Sequence, residues 1–224
     1  MRICGEGIVL MEFITNRYLS ECVGNNTARL MGKVLTEPVF NHKTYGKAYY
    51  ILLLGVLRKS GYEDKIRLMI SETILAGKSP RMGEILEVDG QIRTYNIEEK
   101  GRNKLEVLLF VRTMKYVRKR EAAYENKIDI VGFICKKPIR RTSPLGREIC
   151  DLMIAVNRPY NKSDYIPAIA WGKLAAEGEK LYIGERVYIS GRIQSRDYKK
   201  ITDTGNHIIK TAYEVSVVDL VTDR

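Results

Sequence analysis

The side chains best suited to bind a ligand are aromatic and basic residues that alternate along two short stretches. In DYIPAIAWGKLAAEG, residues 164–178, the only tryptophan of the chain follows a run that alternates like a strand. Strand side chains point to opposite faces in turn, so one face is predicted to hold Tyr165, Pro167, Ile169 and Trp171. The other face holds Ile166, Ala168 and Ala170. These small apolar side chains suit the interior of a small barrel, so we expect the ring-bearing face to point outward.

The stretch VYISGRIQSRDY, residues 187–198, divides in the same way. Its apolar face is predicted to hold Val187, Ile189, Gly191 and Ile193. The opposite face is predicted to hold Tyr188, Ser190, Arg192, Gln194, Arg196 and Tyr198. Exposed rings beside guanidinium groups suit a ligand that combines flat, apolar surfaces with negative charge. The pattern leaves open the alternative that Trp171 and Tyr165 pack under a loop or in a subunit interface.

The overall charge points to a polyanionic ligand. The 224-residue chain has a formal net charge of +11, which is typical of proteins that meet nucleic acid and less often of proteins at anionic membranes. Unpaired bases stack on aromatic rings at about 1–3 kcal/mol each, while duplex bases already stack on one another. The two faces therefore favour single-stranded over double-stranded nucleic acid.

Metal binding, catalysis and membrane insertion find little support in the residues. The four cysteines form no C-x-x-C pair, and with only His42 and His207 we expect neither a zinc site nor another cofactor. We find no nucleophile elbow, phosphate-binding glycine loop or carboxylate cluster, so we expect no enzyme. No apolar run approaches the roughly 18 residues of a membrane span. Cys135 and Cys150 lie in apolar runs and are predicted to be buried in a protein of the reducing cytoplasm.

The chain contains an internal repeat. NNTARLMGKVLTEPVF, from Asn25, is repeated as ENKIDIVGFICKKPIR, from Glu125, and Gly46 and Asp64 recur 100 positions later as Gly146 and Asp164. We therefore divide the chain into four parts. They are an N-terminal extension of unknown structure (1–24), a first domain (25–115), a linker (116–125) and a second domain (126–221).

The sequence of each copy predicts five short strands, with one short helix between the third and fourth strands. This order is typical of the OB-fold, a five-stranded Greek-key barrel, and the helix placement argues against a generic β-sandwich. The predicted fold is thus all-β, with two tandem OB-fold domains.

The second copy resembles bacterial single-stranded DNA-binding proteins over about 126–221. The matching segments are NKIDIVGFICKKPIRRTSPLG, LMIAVNR, DYIPAIAWGKLAAEGEKLYIGERVYISGRIQSRDY and YEVSVVDL. The resemblance implies the tandem OB-fold form of that family and non-catalytic, largely sequence-independent binding and protection of single-stranded DNA in replication, recombination or repair. The family usually assembles four OB-folds, so we expect a homodimer of this two-copy chain.

The resemblance also implies site residues. The places of the family's main base-stacking rings hold Tyr160, Tyr165, Trp171 and Tyr198. The expected phosphate partners on the same surface are Arg141, Arg158, Lys173, Arg192 and Arg196.

The first copy departs from this pattern. Its equivalent places hold Ser60, Lys65, Ser71 and Ile97, although residues 1–124 contain 21 basic against 14 acidic side chains. We therefore expect a division of labour, in which the second copy stacks bases and the first contributes electrostatic contact, a pairing surface or both.

Two further expectations concern partners. Many family members end in an acidic tip that recruits other proteins, whereas this sequence stops at VVDLVTDR, so we expect no recruitment by such a tail. The alternative function is an OB-fold module that binds RNA or a protein partner, as a primosome or mobile-element accessory factor. No residue can be named that would recognise a 2′-hydroxyl.

Overall fold

The computed structural model describes residues 24–99, 102–118, 125–201 and 207–223. Of the expected N-terminal extension only Gly24 falls within this range, and residues 119–124 of the expected linker also lie outside it. The strands of the first half are β1 (Asn26–Val34), β2 (Val39–Thr44), β3 (Lys47–Leu57), β4 (Glu63–Ser71), β5 (Ile85–Glu99) and β6 (Arg102–Val117). Those of the second half are β7 (Asn126–Ile134), β8 (Ile139–Thr142), β9 (Glu148–Arg158), β10 (Lys162–Trp171), β11 (Arg186–Ile201) and β12 (His207–Thr222). The described helices are α1 (Glu72–Leu75) and α2 (Lys173–Gly178).

Each half closes into a five-stranded ring. In the first half β1 pairs with both β3 and β5, and the ring runs β1–β3–β4–β6–β5. The second half repeats this closure as β7–β9–β10–β12–β11. The short strands β2 and β8 lie outside the rings and pair only with β3 and β9 among the described strands. The predicted OB-fold architecture is confirmed, with one extra edge strand in each half.

An asparagine at the start of each half links two strands of the ring. The Asn26 side chain donates to the Ile92 carbonyl over 2.7 Å and accepts from the Ile92 N–H over 2.9 Å. Asn126 makes the same pair of bonds with Ile193 at 2.8 and 3.0 Å. Each asparagine thus satisfies backbone groups that the ladder leaves free, which accounts for its recurrence in both copies.

The core of each barrel is formed by the alternating apolar residues of its strands. On β10 the small side chains Ile166, Ala168 and Ala170 are at most 3% exposed, as predicted. Cys150 is fully buried, as predicted, and this burial raises the pKa of its thiol to about 11. Cys135 is half-buried, and burial raises its pKa as well.

A bulge bends the long hairpin of each barrel at a glycine. The register of β11 against β12 shifts between Ser190 and Gly191, and that of β5 against β6 shifts between Asp89 and Gly90. A Cβ atom at Gly191 would lie 2.4 Å from the Ser216 carbonyl oxygen, so no other residue fits this bend.

The two barrels are joined by antiparallel pairing of β1 with β7. The register sets Asn26 opposite Ile130 and Leu30 opposite Asn126, so Ala28 and Ile128 lie at the centre. Because Asn26 and Asn126 are equivalent in the repeat, this pairing relates the barrels by a local two-fold axis. The described strands consequently form one twelve-stranded sheet.

A second junction, here called the seam, lies where β4 and β10 meet the hairpins of the opposite barrels. Asp64 accepts bonds of 2.7 Å from the Arg58 side chain and from the Ser195 N–H. Asp164 accepts from the Thr94 N–H over 2.7 Å and, over 3.0 Å, from the Arg93 side chain. Both carboxylates are fully buried. The recurring aspartates are therefore the buried anions that hold one barrel against the other.

None of the helices in the described part of the chain is long and apolar enough to cross a lipid bilayer.

Candidate nucleic-acid interface

The outer face of the second barrel is built by β8, β9, β10, β12 and β11, in that spatial order. Along β10 the outward side chains include Tyr165, which is 48% exposed, and Trp171, which is half-buried. These two aromatic rings therefore lie outside the barrel, on the face that the alternation predicts.

Trp171 is fixed on this face by a hydrogen bond. Its indole Nε1–H donates to the Ser216 hydroxyl on β12 over 3.1 Å. Ser216 in turn lies opposite Arg192 on β11. The indole and the guanidinium group thus come from β10 and β11, with β12 and its serine between them. Trp171 lies two positions beyond Ile169, the residue of β10 that is opposite Ser216. This row places a ring and a cation at a spacing that suits a base and a phosphate.

Tyr160 and Tyr198 extend this face beyond the barrel. Tyr160 lies in the turn between β9 and β10 with a left-handed φ of +64°, and it is 94% exposed. A tyrosine with positive φ is uncommon, and here it displays the ring at the tip of the turn. Tyr198 lies on the extended β11–β12 hairpin opposite Lys210 and is 37% exposed.

Two of the five predicted phosphate partners are engaged by carboxylates. Arg141 donates to both oxygens of Asp151, over 2.5 and 3.0 Å, and this raises the pKa of the guanidinium group. Arg158 lies with Nε 3.1 Å from Asp164 at the seam, although the angle is not that of a hydrogen bond. Arg158 therefore takes part in the seam, while its side chain stays 28% exposed.

The other three predicted cations face water. The Lys173 side chain is 91% exposed and lies 3.8 Å from Glu177, one helical turn away. Arg192 and Arg196 are exposed and have no ion-pair partner among the described side chains. These three groups can approach a phosphate without first breaking a short ion pair.

Two residues predicted on the outer face are buried instead. Ile169 is only 4% exposed, because its strand lies between β9 and β12 and the side chain is shorter than its neighbour Trp171. Gln194 is 8% exposed and donates to Glu214 on β12 over 2.9 Å. Neither can offer much surface to a ligand. Pro167, Tyr188 and Ser190 of the same sets are half-buried.

Sequence reasoning missed Ser216 and Asp151, because their roles depend on cross-strand neighbours. It also missed a group of rings on the first barrel. Its four family positions do hold non-aromatic residues, yet Tyr49 and Phe110 lie with ring centroids 5.8 Å apart, and His42 stacks on Tyr49 at 5.1 Å. These rings come from β3, β6 and β2.

Comparison with known proteins relates the second barrel to a protein family. The model of the single-strand binding protein family matches residues 125–221. A single-stranded DNA-binding protein of Clostridium tetani is 32% identical over 91 residues, which cover 37% of this chain and 62% of that protein. Single-stranded DNA-binding protein 2 of Clostridium acetobutylicum is 32% identical over 97 residues, 40% of this chain and 72% of that protein.

The two-barrel arrangement also has a counterpart among solved structures. The wild-type single-stranded DNA-binding protein from Thermus aquaticus superposes with a TM-score of 0.68 at 21% identity, over 90% of this chain and 94% of that one. At this identity the likeness concerns the fold, which spans both barrels. The sequence match in the second barrel shows more: this chain belongs to the single-strand binding protein family.

Proposed function

We propose that this protein binds single-stranded DNA without catalysing a reaction on it, and largely without regard to sequence. The main observation in support is the row Trp171–Ser216–Arg192 across β10, β12 and β11. It sets a hydrogen-bonded indole beside a free guanidinium group on an open sheet face. Tyr165 and Tyr198 continue the same face, and the names of the relatives agree with this ligand.

Binding then follows from two interactions that any base sequence can make. Bases leave their neighbours and stack on Trp171, Tyr165, Tyr198 and Tyr160, at about 1–3 kcal/mol each. Phosphates approach Arg192, Arg196 and Lys173 and release their counterions. Arg141 contributes less, since Asp151 already neutralises it. A strand held in this way is protected, which fits a cytoplasmic role in replication, recombination or repair.

We further propose two domains, 25–115 and 126–221, and a homodimer, since two chains of two barrels would supply the four OB-folds usual in the family. Light scattering at micromolar concentration is expected to give twice the mass of the chain. A monomer at that concentration would contradict the dimer and leave the DNA site unaffected.

The test of the function is a titration of Trp171 fluorescence with oligo-dT at several salt concentrations. Because Trp171 is the only tryptophan, its quenching reports the second barrel alone. We expect quenching, and a log–log salt slope of about 0.7 for each phosphate neutralised. An indole whose emission does not change while the protein meets excess oligo-dT would overturn the proposal.

Two substitutions at equivalent places give a matched control. Trp171→Ala removes a stacking ring and is expected to weaken binding to poly-dT about tenfold or more. Ser71→Ala, at the same place in the first barrel, is expected to change it less than twofold. Equal small effects would rule out the assigned role of Trp171.

Two controls separate this function from its alternatives. In competition, poly-dT is expected to displace a labelled oligo-dT more effectively than poly-U does; the reverse order would favour an RNA ligand. Incubation of the strand with protein and magnesium is expected to leave it intact, and cleavage products would reveal a catalytic activity.

A further inference from the structure

The first barrel has large rings on its outer face, at different strands from those of the second barrel. Ser71 ends β4 as Trp171 ends β10, and each lies opposite a residue of the preceding long strand. In the second barrel that partner is Ile149, whereas in the first barrel it is Tyr49. The large ring therefore lies on β10 in the second barrel, whereas in the first barrel it lies on β3, the neighbour of the equivalent strand β4.

The strand on the other side shows the same exchange. On β12, Ser216 pairs with Ile169, and on β6 the equivalent residue, Phe110, pairs with Met69. Where the second barrel has one tryptophan flanked by two smaller side chains, the first has one serine flanked by two rings. Tyr49 and Phe110 reach towards each other across the serine strand, with centroids 5.8 Å apart and planes tilted by 42°.

A third ring extends this group at the edge of the sheet. His42 on β2 stacks on Tyr49 with 16° between the planes. Like Tyr49 and Phe110, it is half-buried, so part of each ring stays accessible. We call these three residues the first-barrel rings.

Two of the first-barrel rings, His42 and Phe110, line a groove that also contains cationic groups of the seam. The groove has a volume of about 660 Å³ and is lined by apolar and aromatic side chains, including Met69, Leu108, Tyr95, Phe110 and His42. Its volume lies in the range of ligand clefts, about 300–1,000 Å³. Arg93 and Arg158 line the same groove, and between them they share one carboxylate, that of Asp164.

This charge balance favours an anionic occupant. Asp164 is fully buried, whereas the side chains of Arg93 and Arg158 remain 18% and 28% exposed. Two guanidinium groups against one hidden carboxylate leave an excess positive charge at the mouth of the groove. Aromatic rings and cations that line the same groove match a base and its phosphate.

We propose that the first-barrel rings and this groove form a second base-stacking site for unpaired DNA. It takes one or two nucleotides of the strand that lies on the second barrel, with phosphate at Arg93 and Arg158. The inference rests on the proposed function, and it adds base stacking to the electrostatic contact, pairing surface or both that we expect of the first copy.

The direct test places the single tryptophan of the chain among the first-barrel rings. In a Phe110→Trp/Trp171→Phe double variant, the only indole lies among the first-barrel rings while the second barrel keeps a ring. With an end-labelled oligo-dT of about 30 nucleotides, enough to cover more than one barrel, we expect quenching to follow the rise in anisotropy. If anisotropy rises and the indole emission does not change, the second site is absent although DNA still binds. If anisotropy does not rise for the wild-type protein, the proposed function itself fails.

An affinity measurement tests the same site without a new fluorophore. Tyr49→Ile/Phe110→Ser introduces the side chains of the second barrel and is expected to weaken binding of the long oligo-dT about tenfold. Phe40→Ser is the matched control, because Phe40 is an exposed ring of β2 that pairs with Tyr50, on the opposite face of β3 from Tyr49. Equal affinities of wild type and double variant would contradict the proposal. His42→Ala, at an edge strand, gives the same readout with little risk to folding and is expected to lose about threefold.

Discussion

Two arginines on the outer face of the second barrel differ in whether a carboxylate already neutralises them. Arg192 is exposed and lies beside the Trp171–Ser216 pair, whereas Arg141 is held by both oxygens of Asp151. We expect Arg192→Ala to lower the salt slope of oligo-dT binding by about 0.7, the contribution of one phosphate contact to a single strand. Arg141→Ala is expected to lower it by less than half of that.

The carboxylate provides a test in the opposite direction. Asp151→Asn removes the charge that competes for Arg141, so the salt slope is expected to rise rather than fall. Salt titrations of oligo-dT binding by the three variants and by the wild-type protein measure these changes in slope. A slope that is unchanged in Arg192→Ala would remove this residue from the interface.

The sequence predicts which face of the sheet a side chain occupies, but it does not predict which side chain on a neighbouring strand it contacts. The alternation of 164–171 places Tyr165 outward and Ile166 inward because strand geometry has a period of two. That Arg141 is paired with Asp151 depends on the register of β8 against β9, which no local pattern specifies. The same holds for the burial of Gln194 against Glu214.

At the scale of elements, the seam makes a sharp prediction about stability. Asp164 is fully buried and balances Arg93 and Arg158 while also accepting the Thr94 N–H. Asp164→Asn keeps the size of the side chain but leaves two cations with no nearby anion. Because both arginines are partly exposed, we expect a loss of about 2–3 kcal/mol in the free energy of unfolding, somewhat below the cost of breaking a fully buried pair.

An exposed pair in the same barrel is the control. Glu179 bonds to Arg140 over 2.9 Å, but both side chains are well exposed. Glu179→Gln is therefore expected to lower the free energy of unfolding far less than Asp164→Asn does. Urea unfolding of both variants checks the comparison. Similar losses for the two would mean that the seam contributes no more than a surface ion pair.

The elements also show why the first-barrel rings escaped sequence reasoning. Tyr49 and Phe110 are 61 positions apart in the chain and meet only because β3, β4 and β6 are neighbours in the sheet. Matching the repeat position by position finds Ser71 where Trp171 should be and stops there. Only when the registers of three strands are known does the exchange of ring and small side chain become visible.

At the scale of the whole molecule, the repeat predicted two barrels but not how they join. Recurring residues such as Asn26 and Asn126 mark equivalent places in two copies. They do not indicate where one copy contacts the other. In the structure these asparagines begin the very strands that pair, β1 and β7, around Ala28 and Ile128. The recurring Asp64 and Asp164 then hold the barrels together a second time at the seam.

Two junctions of this kind should make the barrels unfold as one unit. The β1–β7 ladder continues the sheet from one core into the other, and each seam aspartate belongs to one barrel while bonding to the other. In urea we therefore expect Trp171 fluorescence, which reports the second barrel, and far-ultraviolet circular dichroism, which reports both, to share one midpoint. Asp64→Ala/Asp164→Ala removes both buried carboxylates from the seam and leaves there the bonds from the Lys65 N–H to Ser195 and from the Tyr165 N–H to Thr94. With the seam weakened in this way, the two midpoints are expected to separate. If the midpoints already differ in the wild-type protein, the barrels are independent, and a strand of DNA would meet two separate modules rather than one continuous sheet.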